Sequence, residues 1–317
     1  MRSFVAGGAG FIGSHLVARL VQDPTANVVV YDNFSSGQEW HLGALVNEPR
    51  LRVVRADMKD LSTLSESMAG ADVVYHLASN PDIAKAVSQP DIDFWEGTYL
   101  TQNILEAMRR NSVGKIIYAS GSGIYGETGL LEVPEDHGPL LPISTYGASK
   151  LAGEALICAY CHLFDIQGRV YRFANVVGPR QTHGVAYDFI RRLRENPHRL
   201  RILGDGNQSK SYIHVEDVLD AIHWTDARSA QRFDYFNVAT GDYITVREIA
   251  DLVVEETGLP RGELEYEFTG GDRGWKGDVP VVRFDLRKIH GLGWRARWSS
   301  REAMRKAVRA MLAEVSD

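Results

Sequence analysis

The chain has 317 residues, of which 44% are hydrophobic and 24% charged. That length predicts two lobes sharing one active-site cleft, and the composition excludes a disordered, collagen-like or disulfide-stapled chain. Lys and Arg number 35 against 41 Asp and Glu, a formal charge of −6 with no basic stripe, which argues against a nucleic-acid partner.

The first half alternates short apolar runs with helical patterns. A strand over 3–6 runs into glycines, and a helix follows over 14–21. NVVVY at 27–31 is an unbroken β-branched run, as expected of a strand covered on both faces. Further strands fall at 51–55, 73–77, 115–119 and 167–173, with helices over 61–68, 98–110 and 149–164 between them. Strand–helix–strand alternation predicts parallel strands with right-handed crossovers, an α/β doubly wound (Rossmann) sheet. After about residue 174 glycines and prolines punctuate shorter elements, read as a smaller mixed α/β substrate lobe. The expected division is 1–174 and 175–317, with 211–241, notably 234–238, returning to the sheet edge.

Two readings are set aside. Cys158 and Cys161 form a C-x-x-C inside an apolar helical run with no second ligand pair, so no metal is expected. No run of about 18 apolar residues exists to span a membrane. The apolar N-terminal stretch is broken by Gly7, Gly8, Gly10 and Gly13, unlike a signal peptide, so a cytoplasmic location is expected.

The strongest local signal is VAGGAGFIGSHL at 5–16. Its glycines allow a sharp turn after the strand, close approach to a pyrophosphate, and tight helix–sheet packing. The helix that then opens at Phe11, Ile12 and Gly13 offers unsatisfied N–H groups to phosphates. Asp32 ends the next strand, nineteen residues after Gly13. A carboxylate there accepts hydrogen bonds from ribose hydroxyls and repels a 2′-phosphate. No arginine follows in the loop 34–38, which favours NAD over NADP.

Tyr146 and Lys150 are four residues apart and share a helix face. A phenol is a poor base at neutral pH. An ammonium one turn away, with a positive nicotinamide ring, favours the phenolate. Such a tyrosine can take a proton from an alcohol while hydride leaves the same carbon.

GGAGFIGSHL, YDNFSSG, Asp57-Met58, HLAS at 76–79, Ile124-Tyr125-Gly126, YGASK at 146–150 and RFANVVGP at 172–179 together resemble the extended short-chain dehydrogenases acting on nucleotide sugars. Within that family, the stretches at 178–215 and 273–279 are most similar to the 4-epimerases of UDP-hexoses. The resemblance implies NAD as cofactor and a UDP-sugar as substrate. It implies that Gly7, Gly10, Phe11, Ile12, Gly13, Asp32, Asn33, Ser36 and Gly37 meet the dinucleotide, that Asp57 and Met58 hold the adenine, and that Leu77, Ala78 and Ser79 line its channel. Lys150 would hydrogen-bond the nicotinamide ribose, and Asn175, Lys210 and Arg273 would meet the sugar diphosphate. A homodimer paired through the helices at 98–110 and 149–164 is also implied.

Two positions depart from the family pattern. Gly121 stands where a Ser or Thr usually bonds the reacting hydroxyl, and Gly97 where an Asn is common. On a regular strand Ser120 and Ser122 would both point away from the face that residue 121 presents. A kink at Gly121 and Gly123 would return Ser122 to the site as the third catalytic group. The dehydratases of the family carry an Asp-Glu pair here and the decarboxylases a Glu, whereas this chain has Ser122-Gly123. Elimination therefore lacks its acid and base, which leaves 4-epimerisation as the expected reaction. The alternatives are a UDP-glucuronate epimerase, dehydratase or oxidoreductase on the same fold, or a non-catalytic NAD sensor.

Overall fold

A computed structural model describes residues 1–260, 262 and 264–314, so 261, 263 and 315–317 of the expected second lobe lie outside it. The chain forms two compact units. The first comprises Met1–Ile124, Thr145–Arg172 and Asp226–Phe236, the second Tyr125–Ser144, Phe173–Thr225 and Asn237–Asp317.

The first unit is built on a seven-stranded sheet. Strands β1 (Arg2–Ala6), β2 (Asn27–Asp32), β3 (Leu51–Arg55), β4 (Val73–His76) and β5 (Lys115–Gly121) run in the order β5-β4-β1-β2-β3, every neighbouring pair parallel. Gln167–Phe173 lies outside β5, and Phe233–Val238 forms the edge beyond it. Val28, Val29, Val30 and Tyr31 are each at most 3% exposed, so helices cover both faces, as the β-branched run requires. Phe4, Val74 and Ile116 of the sheet meet Leu64, Ile104, Leu105 and Ile157 of those helices in one core.

Helices begin earlier than hydrophobic periodicity alone suggests. The first spans Phe11–Leu20 and starts inside the glycine motif, because Gly10 is its cap. Another spans Thr145–Phe164, which puts Tyr146 in its first turn and Lys150 one turn on. The helix Tyr99–Asn111 is preceded by a π-helical turn, Phe94–Thr98. A β-carbon at Gly97 in that turn would lie 2.7 Å from Ser149 Oγ, so the turn rests directly on the helix that carries Lys150.

The second unit has a core of its own, in which Leu200, Ile249, Val253, Met304 and Val308 are buried. It contains the parallel pairs Asn175–Val177 with Tyr212–His214 and Arg199–Ile202 with Glu265–Phe268, and the antiparallel pair Ser209–Lys210 with Ile244–Thr245. Among the described residues no helix is long and apolar enough to cross a membrane.

Candidate active site

The glycine turn has the shape of a cradle. Gly7 adopts φ +80, and a β-carbon there would lie 2.8 Å from the Ala78 backbone nitrogen. A β-carbon on Gly13 would fall 2.1 Å from the Gly7 carbonyl oxygen, where no atom fits. Gly10 caps the helix without any side-chain bond, so the first-turn N–H groups at Phe11, Ile12 and Gly13 have no side-chain cap to satisfy them. The turn, strand end and helix start thus meet without side chains between them, and the residues present fit a dinucleotide pyrophosphate.

Asp32 stands at the end of β2, 6% exposed. Its carboxylate accepts the N–H groups of Ala9 at 2.9 Å and Phe34 at 2.8 Å. Burial raises its pKa, and those two N–H groups oppose the rise. A β-carbon on Gly37 would lie 2.9 Å from that carboxylate, so the loop closes over Asp32 only because residue 37 has no side chain. Ser36, beside it, is exposed. Asn33 reaches Asp57 at 3.4 Å, and Asn103 ties down the Met58 carbonyl at 2.9 Å. Leu77, Ala78 and Ser79 leave the end of β4 half-buried.

One cation escaped the sequence reading. Arg55, at the end of β3 in register with Asp32, lays its guanidinium 4.4 Å from the centre of the Phe34 ring. It also pairs with Glu39 at 3.1 Å. An arginine therefore does reach the loop, from the neighbouring strand rather than from the loop itself. Its charge is balanced by Glu39, and the Asp32 carboxylate remains.

Tyr146 and Lys150 come together as the helical spacing requires. Lys150 is 3% exposed, and its Nζ donates to the Ala119 carbonyl at 2.7 Å. That nitrogen lies 5.1 Å from the centre of the Tyr118 ring and 5.5 Å from that of Tyr146. Burial lowers the Lys150 pKa to about 8, against the pull of Asp93 and Glu154. The Tyr146 phenol is governed by its own surroundings. Burial pushes it up to about 12, the Ser79 hydroxyl that bonds it lowers it, and the Asp93 charge raises it further. The lysine alone therefore does not make this phenol acidic, because its ammonium is aimed at the Ala119 carbonyl and desolvation outweighs its field.

Ser120 and Ser122 part company. Ser120 Oγ donates to Glu154 Oε1 at 2.5 Å and is consumed there. Strand β5 ends at Gly121, and Ser122–Tyr125 is a 3₁₀ turn. A β-carbon on Gly123 would touch Gly147 at 3.5 Å, so this turn packs against the residue after Tyr146. Ser122 is half-buried, and its hydroxyl makes no hydrogen bond among the described residues.

In the second unit, Lys210 pairs with Asp278 at 2.6 Å, while Arg273 donates to the Asp278 backbone carbonyl at 3.4 Å and pairs with Glu127. The two expected cations are thus gathered around Asp278, a residue the sequence reading did not single out. Asn175 is exposed, shares no hydrogen bond with them, and bonds the Ser211 carbonyl at 3.3 Å.

A doubly wound sheet, a glycine cradle and a helical Tyr–Lys pair define a dinucleotide-dependent short-chain dehydrogenase. Residues 3–239 match the NAD dependent epimerase/dehydratase family, and the chain belongs to it. It is 34% identical to the UDP-glucose 4-epimerase of Mycolicibacterium smegmatis over 97% of both chains. Among solved structures, a UDP-galactose 4-epimerase superposes with a TM-score of 0.87 at 37% identity, over 99% of this chain and 100% of that one. The UDP-glucose 4-epimerase of Thermotoga maritima, solved with UDP-glucose, gives 0.87 at 30% over the same shares.

The cradle makes a direct prediction. Gly13→Ala should destabilise the fold by about 1–3 kcal/mol or more, and weaken NAD binding by about tenfold or more. Thermal unfolding and calorimetric titration with NAD check both. Wild-type affinity in the variant would mean that the turn is not where the pyrophosphate sits.

Proposed function

We propose that the protein is an NAD-dependent 4-epimerase of a UDP-hexose. One observation carries the reading: a half-buried Tyr146 paired on one helix face with a buried Lys150, beside a turn that holds Ser122 and no carboxylate. When bound, NAD supplies the acceptor and donor of hydride and a positive ring that favours the phenolate. Tyr146 takes the proton from the C4 hydroxyl and later returns it. Lys150, fixed by the Ala119 carbonyl, holds the nicotinamide-side ribose and the protonation balance of the phenol. Ser122 offers its uncommitted hydroxyl to the reacting oxygen in place of the group Gly121 lacks. After oxidation the 4-keto sugar turns over and receives hydrogen on its other face, so no net redox change accumulates. The relatives' UDP-sugar chemistry supports the substrate class.

Asp32, Asn33, Gly37, Asp57, Met58, Leu77, Ala78 and Ser79 are assigned to the adenosine and nicotinamide sides of the cofactor, and Asn175, Lys210 and Arg273 to the sugar diphosphate. A diphosphate carries two charges that Lys210 and Arg273 can share, provided it displaces part of their present pairing with Asp278 and Glu127. We also assign a cytoplasmic homodimer. Leu163 and Phe164, at the end of the helix that would pair, are 71% and 44% exposed.

Four measurements test this. Incubation with UDP-glucose, UDP-galactose, their N-acetyl forms and UDP-glucuronate should yield a C4-inverted product from at least one, and Tyr146→Phe should cut kcat by about 10²–10⁴-fold while retaining NAD. The absence of inversion with every sugar, or net NADH release, overturns the reaction. Lys210→Met should raise KM about tenfold and leave kcat nearly untouched. Sedimentation should read twice the chain mass.

A further inference from the structure

Asp93 is 1% exposed, and among the described residues it makes no ion pair. Its Oδ1 accepts from Asn80 Nδ2 at 3.0 Å, and its Oδ2 from Thr145 Oγ1 at 2.6 Å. Those partners sit on the two segments that carry the reactive groups. Asn80 follows Ser79, and Thr145 precedes Tyr146 at the start of its helix. Asn80 is itself locked, donating to the Asp82 carbonyl at 2.9 Å and accepting the Asp82 N–H at 3.0 Å. Asp93 also leads directly into the π-helical turn whose Gly97 rests on Ser149.

A carboxylate taken out of water against neutral donors alone is costly unless a charge nearby balances it. The cation its charge acts on is Lys150, likewise buried, whose Nζ donates to the Ala119 carbonyl. Glu154 is the second carboxylate that acts on Lys150, yet it is already spent: Arg172 donates Nε to its Oε1 at 3.1 Å and Nη2 to its Oε2 at 2.8 Å. Asp93 is therefore the carboxylate acting on the Tyr146–Lys150 pair that has no arginine of its own among the described residues.

We propose that Asp93 is a positioning residue for the reaction: through Thr145 it fixes the first turn that carries Tyr146, and of the two carboxylates that act on Lys150 it is the one not already paired with an arginine. The role rests on the reading of Tyr146 and Lys150 as the proton-transfer pair. The electrostatics agree, since Asp93 raises the proton affinity of both groups. The remaining groups facing Lys150 are the Tyr118 ring and His76, whose burial pushes it down to about 3 and leaves it neutral. Loss of the Asp93 charge lowers the Lys150 pKa from about 8, so its ammonium disappears at a lower pH and the alkaline limb of kcat moves down.

The test is D93N, which keeps the shape and removes the charge. Lysine labelled at Cε with ¹³C reports Lys150 by NMR titration, with K150R identifying its signal. D93N should lower the Lys150 titration by about one pH unit and shift the alkaline limb of kcat equally. Thr145→Val keeps the charge and breaks the tether; it should lower kcat about tenfold, leave KM unchanged, and leave the Lys150 titration in place. An unmoved Lys150 titration in folded D93N overturns the charge role, and a normal kcat in Thr145→Val overturns the tether, whether or not D93N folds. The titration needs no substrate, so a protein that epimerises nothing would sink the proposed reaction and still decide the electrostatic claim.

Discussion

The site depends on an ammonium held away from water. Lys150 is almost completely covered, donates to the Ala119 carbonyl, and lies between two tyrosine rings. Burial weakens its hold on the proton, and the carboxylates of Asp93 and Glu154 restore part of it. Every neighbouring element serves that arrangement. Strand β5 supplies the carbonyl and Ser120, the long helix supplies Tyr146 and Glu154, and the strand Gln167–Phe173 supplies the Arg172 that neutralises Glu154. Desolvation is the constraint that sets the chemistry, since it makes the phenol a weak acid until a further positive charge arrives.

Much of this was legible in the sequence because it depends on local rules. The strand–helix alternation set the parallel order, and the glycine motif lies in a turn where β-carbons at residues 7 and 13 would collide with backbone. The four-residue spacing brought Tyr146 and Lys150 together. What stayed hidden arises from contacts distant in sequence. Asp93 lies 52 residues from Thr145, and Arg55 reaches its loop through strand register, so neither has a local signature. Glu154 was within reach, being one further helical turn beyond Lys150, but spacing alone does not distinguish a buried ion pair from a solvated one. The upward push of burial on the Tyr146 phenol was hidden for a related reason: proximity in sequence says nothing of how much water has been removed.

The second unit balances charge differently. Its two cations are gathered by Asp278 and Glu127, which hold them folded and paired. Such pairs near the surface contribute little to stability. Their effect is to keep two long side chains in place, which lowers the ordering cost of any later exchange of partners.

The meeting of Gly97 with Ser149 also limits how this sequence can change. Any side chain at residue 97 would bring a β-carbon within 2.7 Å of the serine oxygen. Such a side chain fits only if the Ser149 hydroxyl turns away from the Tyr146 carbonyl it now bonds or the π-helical turn shifts. Residues 97 and 149 are therefore coupled: a side chain at one position is accommodated only by a change in the other's rotamer or identity.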